Sequence, residues 1–313
     1  MTTQYVTGTT TGTTPAETIR AALRTPMANA GWTFIEQVTP GTAVMDVYKS
    51  PGGSNAITTD WFLAIGYPTA AATTLSARLF EQWDAVNKKA IKYAPSATSV
   101  PAGDGSVNDA TGLLLNDAGL FQHANGGGNT AVSSITYYFN ITIDRVYFAT
   151  NAATPVVFYY GAFDRLLSST DDPMPLAMLR IYFDNQNSLT TYGAATREVK
   201  SAGANTYNFF VQTGYGSSLS VAWYSSAWYN VFAPGGGMAP ADSIYFSGAY
   251  ATGRPIIHPS RGIQYTNRGV CKPGLYVAGG VAGVAGDTMT ITKADGTTQA
   301  CVWVNSYMYL ATS

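Results

Sequence analysis

The aromatic segment at residues 223–229, WYSSAWY, contains the side chains of this sequence that best suit ligand binding. Trp and Tyr rings stack on sugar rings, and the same residue types are common in protein–protein interfaces and in cores. We therefore expect Trp223, Trp228 and Tyr229 to lie in a subunit interface or in core packing. A carbohydrate-binding adhesion module that recognises a host cell surface is the alternative.

A second candidate lies in the most cationic part of the chain, around His258. Arg254 and Arg261 flank this histidine, and Pro255 and Pro259 stiffen the backbone beside it. A histidine can serve as a general base, but no acidic residue that could orient it lies nearby in sequence. We expect Arg254, His258 and Arg261 to belong to a loop that hydrogen-bonds a neighbouring chain.

The sequence lacks the residue patterns that common types of catalysis need. Glycoside hydrolysis requires a pair of carboxylates across a sugar site. The chain has four glutamates, one in a helix cap and the others in strand-like segments: Glu17, Glu36, Glu81 and Glu198. Neither a G-x-S-x-G nucleophile elbow nor a phosphate-binding loop with its lysine occurs. We predict that the protein has no catalytic residues and is not an enzyme, with a polysaccharide-cleaving carboxylate pair as the remaining enzymatic alternative.

Metal binding has equally little support. Cys271 and Cys301 could form a zinc site only with help from the two histidines of the chain, His123 and His258. We predict no metal site and no cofactor. Because no export signal is visible, we expect two buried thiols, with a single disulfide as the alternative.

The charge content narrows the range of partners. Only 11% of the 313 residues are charged and the net charge is −1, whereas ordinary soluble domains have about 25% charged residues. A binder of nucleic acid or of an anionic membrane would show a basic patch. The N-terminal segment has no basic or apolar region of a signal peptide, and no stretch reaches the ~18 apolar residues of a membrane span. We expect neither nucleic acid nor membrane as a partner.

The N-terminus begins with an unusual segment of Thr and Gly. Residues 1–13 contain little apolar area, so burial cannot offset the entropy of ordering this backbone. We expect an extended arm that becomes ordered only on another subunit. The composition changes again at residues 94–132, which are rich in Gly, Pro, Ser and Asn and predict a loop or linker.

A helix follows the arm. Thr14, Pro15 and Glu17 form a capping box with proline at the first helical position. We expect the helix to end near Pro26 or at Gly31. It has one apolar stripe, formed by Ile19, Ala22 and Leu23.

The rest of the chain reads as short strands separated by Gly and Pro turns. Residues 75–83 alternate with period two and favour a strand, although a helix face also fits. Residues 84–93, with three lysines, predict a helical turn with a solvated face. The predicted strands are residues 32–38, 43–49, 60–66, 75–83, 135–149, 156–160, 177–183, 207–213, 219–224, 243–246, 274–278, 289–293, 300–305 and 307–311.

These elements predict a mainly β fold: antiparallel sandwich or barrel-like sheets with one N-terminal helix. We divide the chain into an arm at residues 1–13, a helix plus β lobe at 14–93, a loop or linker at 94–132 and a β-rich lobe at 133–313. One hairpin can be assigned a register. A two-residue turn at Asp295 and Gly296 pairs Thr292 with Gln299 and Thr290 with Cys301.

Four segments resemble virion proteins of tailed bacteriophages. They are GWTFIE at residues 31–36, VYKS at 47–50, DWFLAI at 60–65 and LFEQWDAVNKK at 79–89. Further similar segments are YYGAFDR at 159–165, DPMPL at 172–176, GRPIIHP at 253–259 and GDTMTI at 286–291. The resemblance covers most of the chain through short motifs, and the shared pattern contains no catalytic residues.

This resemblance implies a structural component of a phage particle, located in the neck or collar, the tail or the capsid decoration. Its partners would be copies of itself and other virion proteins, and the chain would be made in the host cytoplasm and reside in the virion. Low charge and many Thr, Gly and Tyr residues agree with a subunit that buries much of its surface in a permanent assembly.

Overall fold

The computed structural model of the chain describes residues 2–11, 15–39, 43–52, 60–67, 75–93, 104–106, 134–151, 156–165, 175–183, 189–195, 209–213, 238–246, 250–257, 269–277, 283–292, 296–304 and 308–313. One helix, α1 (Pro15–Asn29), and twenty strands lie in these residues. The strands are β1 (Gln4–Thr11), β2 (Thr33–Val38), β3 (Val44–Lys49), β4 (Phe62–Tyr67), β5 (Ser76–Asp84), β6 (Lys89–Tyr93), β7 (Asp104–Ser106), β8 (Ser134–Thr142), β9 (Arg145–Thr150), β10 (Val156–Arg165), β11 (Leu176–Phe183), β12 (Leu189–Ala195), β13 (Phe209–Thr213), β14 (Met238–Phe246), β15 (Tyr250–Ile257), β16 (Gly269–Cys271), β17 (Leu275–Val277), β18 (Thr288–Thr292), β19 (Thr298–Trp303) and β20 (Met308–Ala311).

Helix α1 begins at Pro15, as the sequence predicts, and Ile19 and Leu23 of its apolar stripe are buried while Ala22 is partly buried. The helix passes Pro26 and ends in a Schellman motif. Here the Trp32 N–H donates to the Met27 carbonyl and the Gly31 N–H to the Ala28 carbonyl, both at 2.9 Å. Gly31 has a φ of 98°, which favours glycine at this position. Across the part of the chain that the structure describes, no helix is long and apolar enough to cross a membrane.

The described strands form three antiparallel sheets. Strands β2 to β7 follow one another in a six-stranded sheet. A ten-stranded sheet begins at β1, which pairs with β8, and continues in order through β13, while β16 joins β10 to β15 and β14. The third sheet has four strands in the order β17, β20, β19, β18. The mainly β prediction, with antiparallel sheets and one N-terminal helix, is therefore confirmed.

The ten-stranded sheet forms the middle layer. On β8, Phe139 packs into the cluster that contains α1 and the six-stranded sheet, while Tyr138 packs into the cluster of the four-stranded sheet. On β10, Phe158 packs into the first of these clusters and Tyr159 into the second. Alternate side chains thus bury both faces of the sheet, which is typical of a central layer.

The six-stranded sheet curls towards a barrel. Trp83 of β5 donates a hydrogen bond to Glu36 of β2 at 2.8 Å, although two strands lie between them and a flat sheet would separate them by roughly 14 Å. The concave face encloses its own apolar cluster, which contains Val38, Ala43, Met45, Val47, Ala64, Phe80 and Ala90. The sequence prediction of barrel-like sheets therefore describes this part of the molecule best.

The expectation that residues 1–13 become ordered only on another subunit is wrong. Residues 4–11 form β1 and pair with β8 of their own chain over eight consecutive residue pairs. The sequence argument counted only local apolar area, whereas the strand gains a complete backbone ladder and packs Val6 and Tyr5 against two core clusters.

The predicted helical turn at residues 84–93 is also wrong. The Asp84 carboxylate accepts the Val86 and Asn87 N–H groups at 3.0 Å and closes a turn that leads directly into strand β6. Lys88, at a φ of 54°, makes an ion pair with Glu36 and does not simply extend into solvent. The lysine-rich segment therefore forms the turn and the second strand of the β5–β6 hairpin.

The C-terminal hairpin forms where it is expected, but its register is shifted by one residue. Thr292 pairs with Thr298 and Thr290 with Ala300. Five residues lie between the paired Thr292 and Thr298, and this odd number does not fit the two-residue turn of the prediction. Gly296 has a φ of 82°, a left-handed conformation that favours glycine. A shift of one residue moves every side chain of the shifted strand to the opposite face of the sheet.

The predicted lobes share their core. The largest apolar cluster combines α1 and strands of the 14–93 segment with β8, β9 and β10 of the 133–313 segment. Within the 94–132 segment the structure describes only β7, and the predicted strand at residues 219–224 lies outside the described residues. Strands β1, β6, β7, β12, β15 and β16 were not predicted.

Candidate subunit interface

The outer edge of β1 is an unpaired strand edge within the described part of the chain. In that part, β1 pairs with β8 alone and ends the ten-stranded sheet. Every second residue of an edge strand directs its N–H and C=O away from the neighbouring strand. Thr7 and Thr9 are exposed on β1, and residues 2–11 contain neither a charged residue nor a proline.

The inner edge of β1 is firmly attached. The Thr7 hydroxyl donates to the Tyr137 carbonyl at 2.9 Å, and buried Thr10 accepts the Ile135 N–H on its hydroxyl oxygen at 3.1 Å. The Thr9 hydroxyl also lies 3.1 Å from a threonine hydroxyl of β8. These side-chain bonds add to the backbone ladder, so β1 is a fixed strand, and no described strand pairs with its outer edge.

The edge of β2 has the opposite construction. A β-bulge at Ile35 interrupts its pairing with β3. Glu36 then accepts a hydrogen bond from Trp83 and forms an ion pair with Lys88 at the β5–β6 hairpin. Bulges and charges of this kind are devices that prevent a strand edge from pairing with another chain. The edge of β2 is thereby closed by side chains of its own sheet.

The ionisation of Glu36 follows from these contacts. Burial alone acts to raise the pKa of this carboxyl. The hydrogen bonds from Lys88 and Trp83 and the positive charge of Lys88 outweigh burial, so the pKa lies below its ordinary value of 4.5. Glu36 is therefore a carboxylate near neutral pH and holds the β2 edge to the hairpin as an anion.

A buried carboxylate holds helix α1 against the same sheet. Asp46 of β3 is fully buried, and Arg20 donates to it at 2.6 Å. Arg24 makes a bidentate contact with the two Asp46 oxygens at 3.0 and 2.9 Å, and its guanidinium lies 4.7 Å from the centre of the Phe34 ring. The hydrogen bond and charge of Asp46 raise the pKa of Arg24.

Arg24 and Phe34 form a small surface patch beside β2. Phe34 is 42% exposed, which is uncommon for phenylalanine, and the Arg24 side chain is 44% exposed. Arg24 also donates to Gln37 at 2.7 Å. Arginine and aromatic residues are enriched at the energetic centres of interfaces, so this patch is a secondary candidate for a contact.

Polar contacts connect the ten-stranded sheet to the C-terminal sheet. Lys272 lies on the connection from β16 of the ten-stranded sheet to β17 of the C-terminal sheet. It forms an ion pair with Asp164 at 2.6 Å, and its carbonyl accepts the Tyr147 hydroxyl at 2.7 Å. On β8, the Asn140 amide donates to the Ala311 carbonyl of β20 at 2.7 Å. These side chains are committed to contacts inside the chain, and we assign them a role in joining the layers.

Residues of the four N-terminal sequence motifs contact one another. Trp32 of the first motif packs edge-to-face on Trp61 of the third, with ring centres 4.9 Å apart. Trp32 also donates to the Thr142 carbonyl of β8 at 2.7 Å. Lys49 of the second motif forms an ion pair with Asp60 of the third at 2.6 Å. The Glu36–Trp83 bond joins the first motif to the fourth, so the motif residues hold strands and layers together.

Most of the candidate residues from the sequence lie outside the described residues. This is true of Trp223, Trp228 and Tyr229, and also of His258 and Arg261. Arg254 belongs to β15, where its backbone pairs with Ala239 of β14.

Sequence reasoning did not single out the β1 edge or Asp46. A signal for Asp46 existed, since a carboxylate stands inside the apolar run VMDVYK while Arg20 and Arg24 lie one turn apart on the preceding helix. The exposed edge of β1 had no local signal, because it depends on pairing with β8, more than a hundred residues away.

Three findings bear on ligands and relatives. Both cysteines are buried thiols, as expected. Among the described residues no group of three or more His, Cys, Asp or Glu side chains could hold a metal ion. No family model, curated protein or solved structure matches this chain.

Proposed function

We propose that this chain is a structural subunit of a tailed-bacteriophage virion, located in the neck or collar, the tail or the capsid decoration. It acts by contacts with copies of itself and with other virion proteins, without catalysis. The observation that carries the proposal is the fixed, uncharged edge of β1 on a chain with only 11% charged residues. A monomer gains nothing from such an edge, whereas an assembly can use it to join subunits.

The motif contacts support the same proposal. Four segments of the phage resemblance contribute to successive strands of one sheet, and their characteristic residues pair as Trp32 with Trp61 and Glu36 with Trp83. A pattern made of packing and bridging residues is expected where proteins have an architecture in common. Catalytic relatives would instead share residues that converge on a cavity.

The proposal is tested on intact particles. Phage particles are purified by density gradient from cells that produce this chain, and their proteins are digested for mass spectrometry. We expect the chain at a fixed ratio to the head and tail proteins through successive gradients, while host cytosolic proteins decrease. Its absence from particles in which head and tail proteins are detected would contradict the proposal.

Antibody labelling in the electron microscope then distinguishes neck, tail and capsid surface. Labelling at any of these positions on a symmetric ring or lattice fits a subunit that acts through its contacts. Glycan binding by the purified chain that is lost in Trp228→Ala, together with labelling only at the distal tips of the tail, would favour the carbohydrate-binding alternative.

A further inference from the structure

The edge of β1 has the features of a strand that pairs with another chain. It has eight residues, continuous register with β8, no bulge, no proline and no charge. Natural proteins prevent unwanted pairing with the devices that β1 lacks, and β2 of the same chain uses two of them. Among the described residues, β8 is the only strand that pairs with β1, and Thr7 and Thr9 are exposed.

We propose that β1 of one copy pairs antiparallel with β1 of a second copy across a two-fold axis. This pairing would join the two ten-stranded sheets into one continuous sheet. The inference rests on the proposed function, because it names the surface and the partner through which the structural subunit would contact its own copies.

Charge favours a second copy over other partners. Two-fold pairing places identical strands side by side, and any charged residue near the axis would then meet its own like charge. Residues 2–11 are neutral and the whole chain has a net charge of −1, so neither local nor long-range repulsion opposes the pairing. An acidic or basic peptide would find no complementary charge on this edge.

The side chains of β1 suit the same geometry. Threonine has high strand propensity, and threonines on paired strands stabilise each other through their hydroxyls. The ladder between β1 and β8 already contains such a pair, Thr9 and Thr136, with hydroxyl oxygens 3.1 Å apart. A second β1 strand could form the same kind of contact with the exposed threonines on the outer side.

One other uncharged edge provides a matched control. Strand β18 ends the four-stranded sheet and also carries an exposed threonine, Thr290. It is shorter than β1, with five residues. A lysine at Thr290 therefore makes the same chemical change on a strand edge that we do not expect to pair.

The test uses the full chain in sedimentation velocity over a concentration series. The parent is expected to dimerise. Thr9→Lys should raise the dimer dissociation constant roughly tenfold or more, because it brings two like charges onto adjacent strands. Thr9→Ser and Thr290→Lys should leave it within about twofold. A parent that stays monomeric at every concentration overturns the pairing, as does a dimer that Thr290→Lys weakens as much as Thr9→Lys.

A cross-linking variant tests the β1–β1 pairing even if Thr9→Lys does not fold. Thr7→Cys places a thiol on the β1 edge, while the two native cysteines are buried. A short bis-maleimide should link Thr7→Cys chains into covalent dimers, and Thr290→Cys chains should remain single. Absence of Thr7→Cys dimers at concentrations where the chain sediments as a dimer overturns the pairing.

The two proposals fail separately. A chain that is present in virions but dimerises independently of β1 refutes the pairing and leaves the structural role. A chain that is absent from virions but dimerises through β1 refutes the structural role and leaves the pairing.

Discussion

Strands β1 and β2 lie on either side of helix α1 in the chain, and each ends a sheet, but their edges are built differently. Strand β2 is short and bulged, and the contacts of Glu36 with Trp83 and Lys88 close it against its own hairpin. Strand β1 is longer, regular and neutral. The comparison shows that this chain closes one terminal strand edge with its own side chains, while no described strand pairs with the outer edge of β1.

The largest expected effect comes from removing β1. Deleting residues 2–11 exposes the edge of β8 and removes the packing of Tyr5, Val6 and Thr10. We expect the free energy of unfolding to fall by about 5 kcal/mol or more. Chemical denaturation measures this loss, and deletion of residues 2–3 alone is the matched control. An unchanged stability would restore the interpretation of this segment as an arm that the subunit does not need.

The second effect concerns the ion pairs that attach helix α1 to β3 of the six-stranded sheet. Asp46→Ala leaves Arg20 buried without its carboxylate and frees Arg24 from Phe34. Breaking one partner of a buried ion pair should cost roughly 3–5 kcal/mol. Thermal unfolding measures the change, and Asp46→Asn should lose less because it keeps a hydrogen-bond acceptor. A loss below about 1 kcal/mol for Asp46→Ala would show that the helix is held by its apolar stripe alone.

The third effect is specific to the closed edge and depends on pH. Because the pKa of Glu36 is lowered in the folded state, its contribution to stability is present above the ordinary value of 4.5 and disappears as the pH falls through the folded-state pKa. Glu36→Gln should cost about 1 kcal/mol at neutral pH and less in acid.

The measurement is the melting temperature from pH 7 down to about pH 3, since ordinary glutamates titrate near the middle of this range. Trp83→Phe removes one of the two donors to Glu36 and should give an intermediate result. If the difference between parent and Glu36→Gln does not change with pH, the ionised form of Glu36 does not close the edge.

The smallest effect is expected at the Lys49–Asp60 ion pair. Asp60 has 56% of its side chain exposed and Lys49 has 35%, so water screens their attraction. Asp60→Asn should change the free energy of unfolding by no more than about 0.5 kcal/mol. A larger loss would mean that this motif pair contributes to the sheet as strongly as the bridge at Glu36.

Helix α1 and many strands could be predicted because their signals are local. Pro15 and Gly31 mark the helix ends in the sequence, and strand-forming residues alternate along β5. The C-terminal hairpin was predicted one residue out of register, since Asp295 and Gly296 fit turns of either length. Loop length depends on which faces become buried, and a turn dipeptide does not specify that.

The candidate site was harder to predict, for a different reason. A strand edge consists of backbone groups, and every residue type provides them. Only the pairing of β1 with β8 shows which edge remains open, and that pairing joins the two ends of a long segment of chain. By contrast, Asp46 with Arg20 and Arg24 was readable in principle, because a charge inside an apolar strand requires a partner.

The reaction rates of the two buried thiols can report how the structure opens. Cys271 packs in the cluster between the middle layer and the C-terminal sheet, and Cys301 packs on the other face of that sheet. A thiol reagent can modify each of them only when its surroundings open, so labelling rates report on two separate regions. If Cys301 reacts while Cys271 stays protected, the far face of the sheet opens before the layers separate. Equal rates would mean that the sheet and its junction with the middle layer open as one unit.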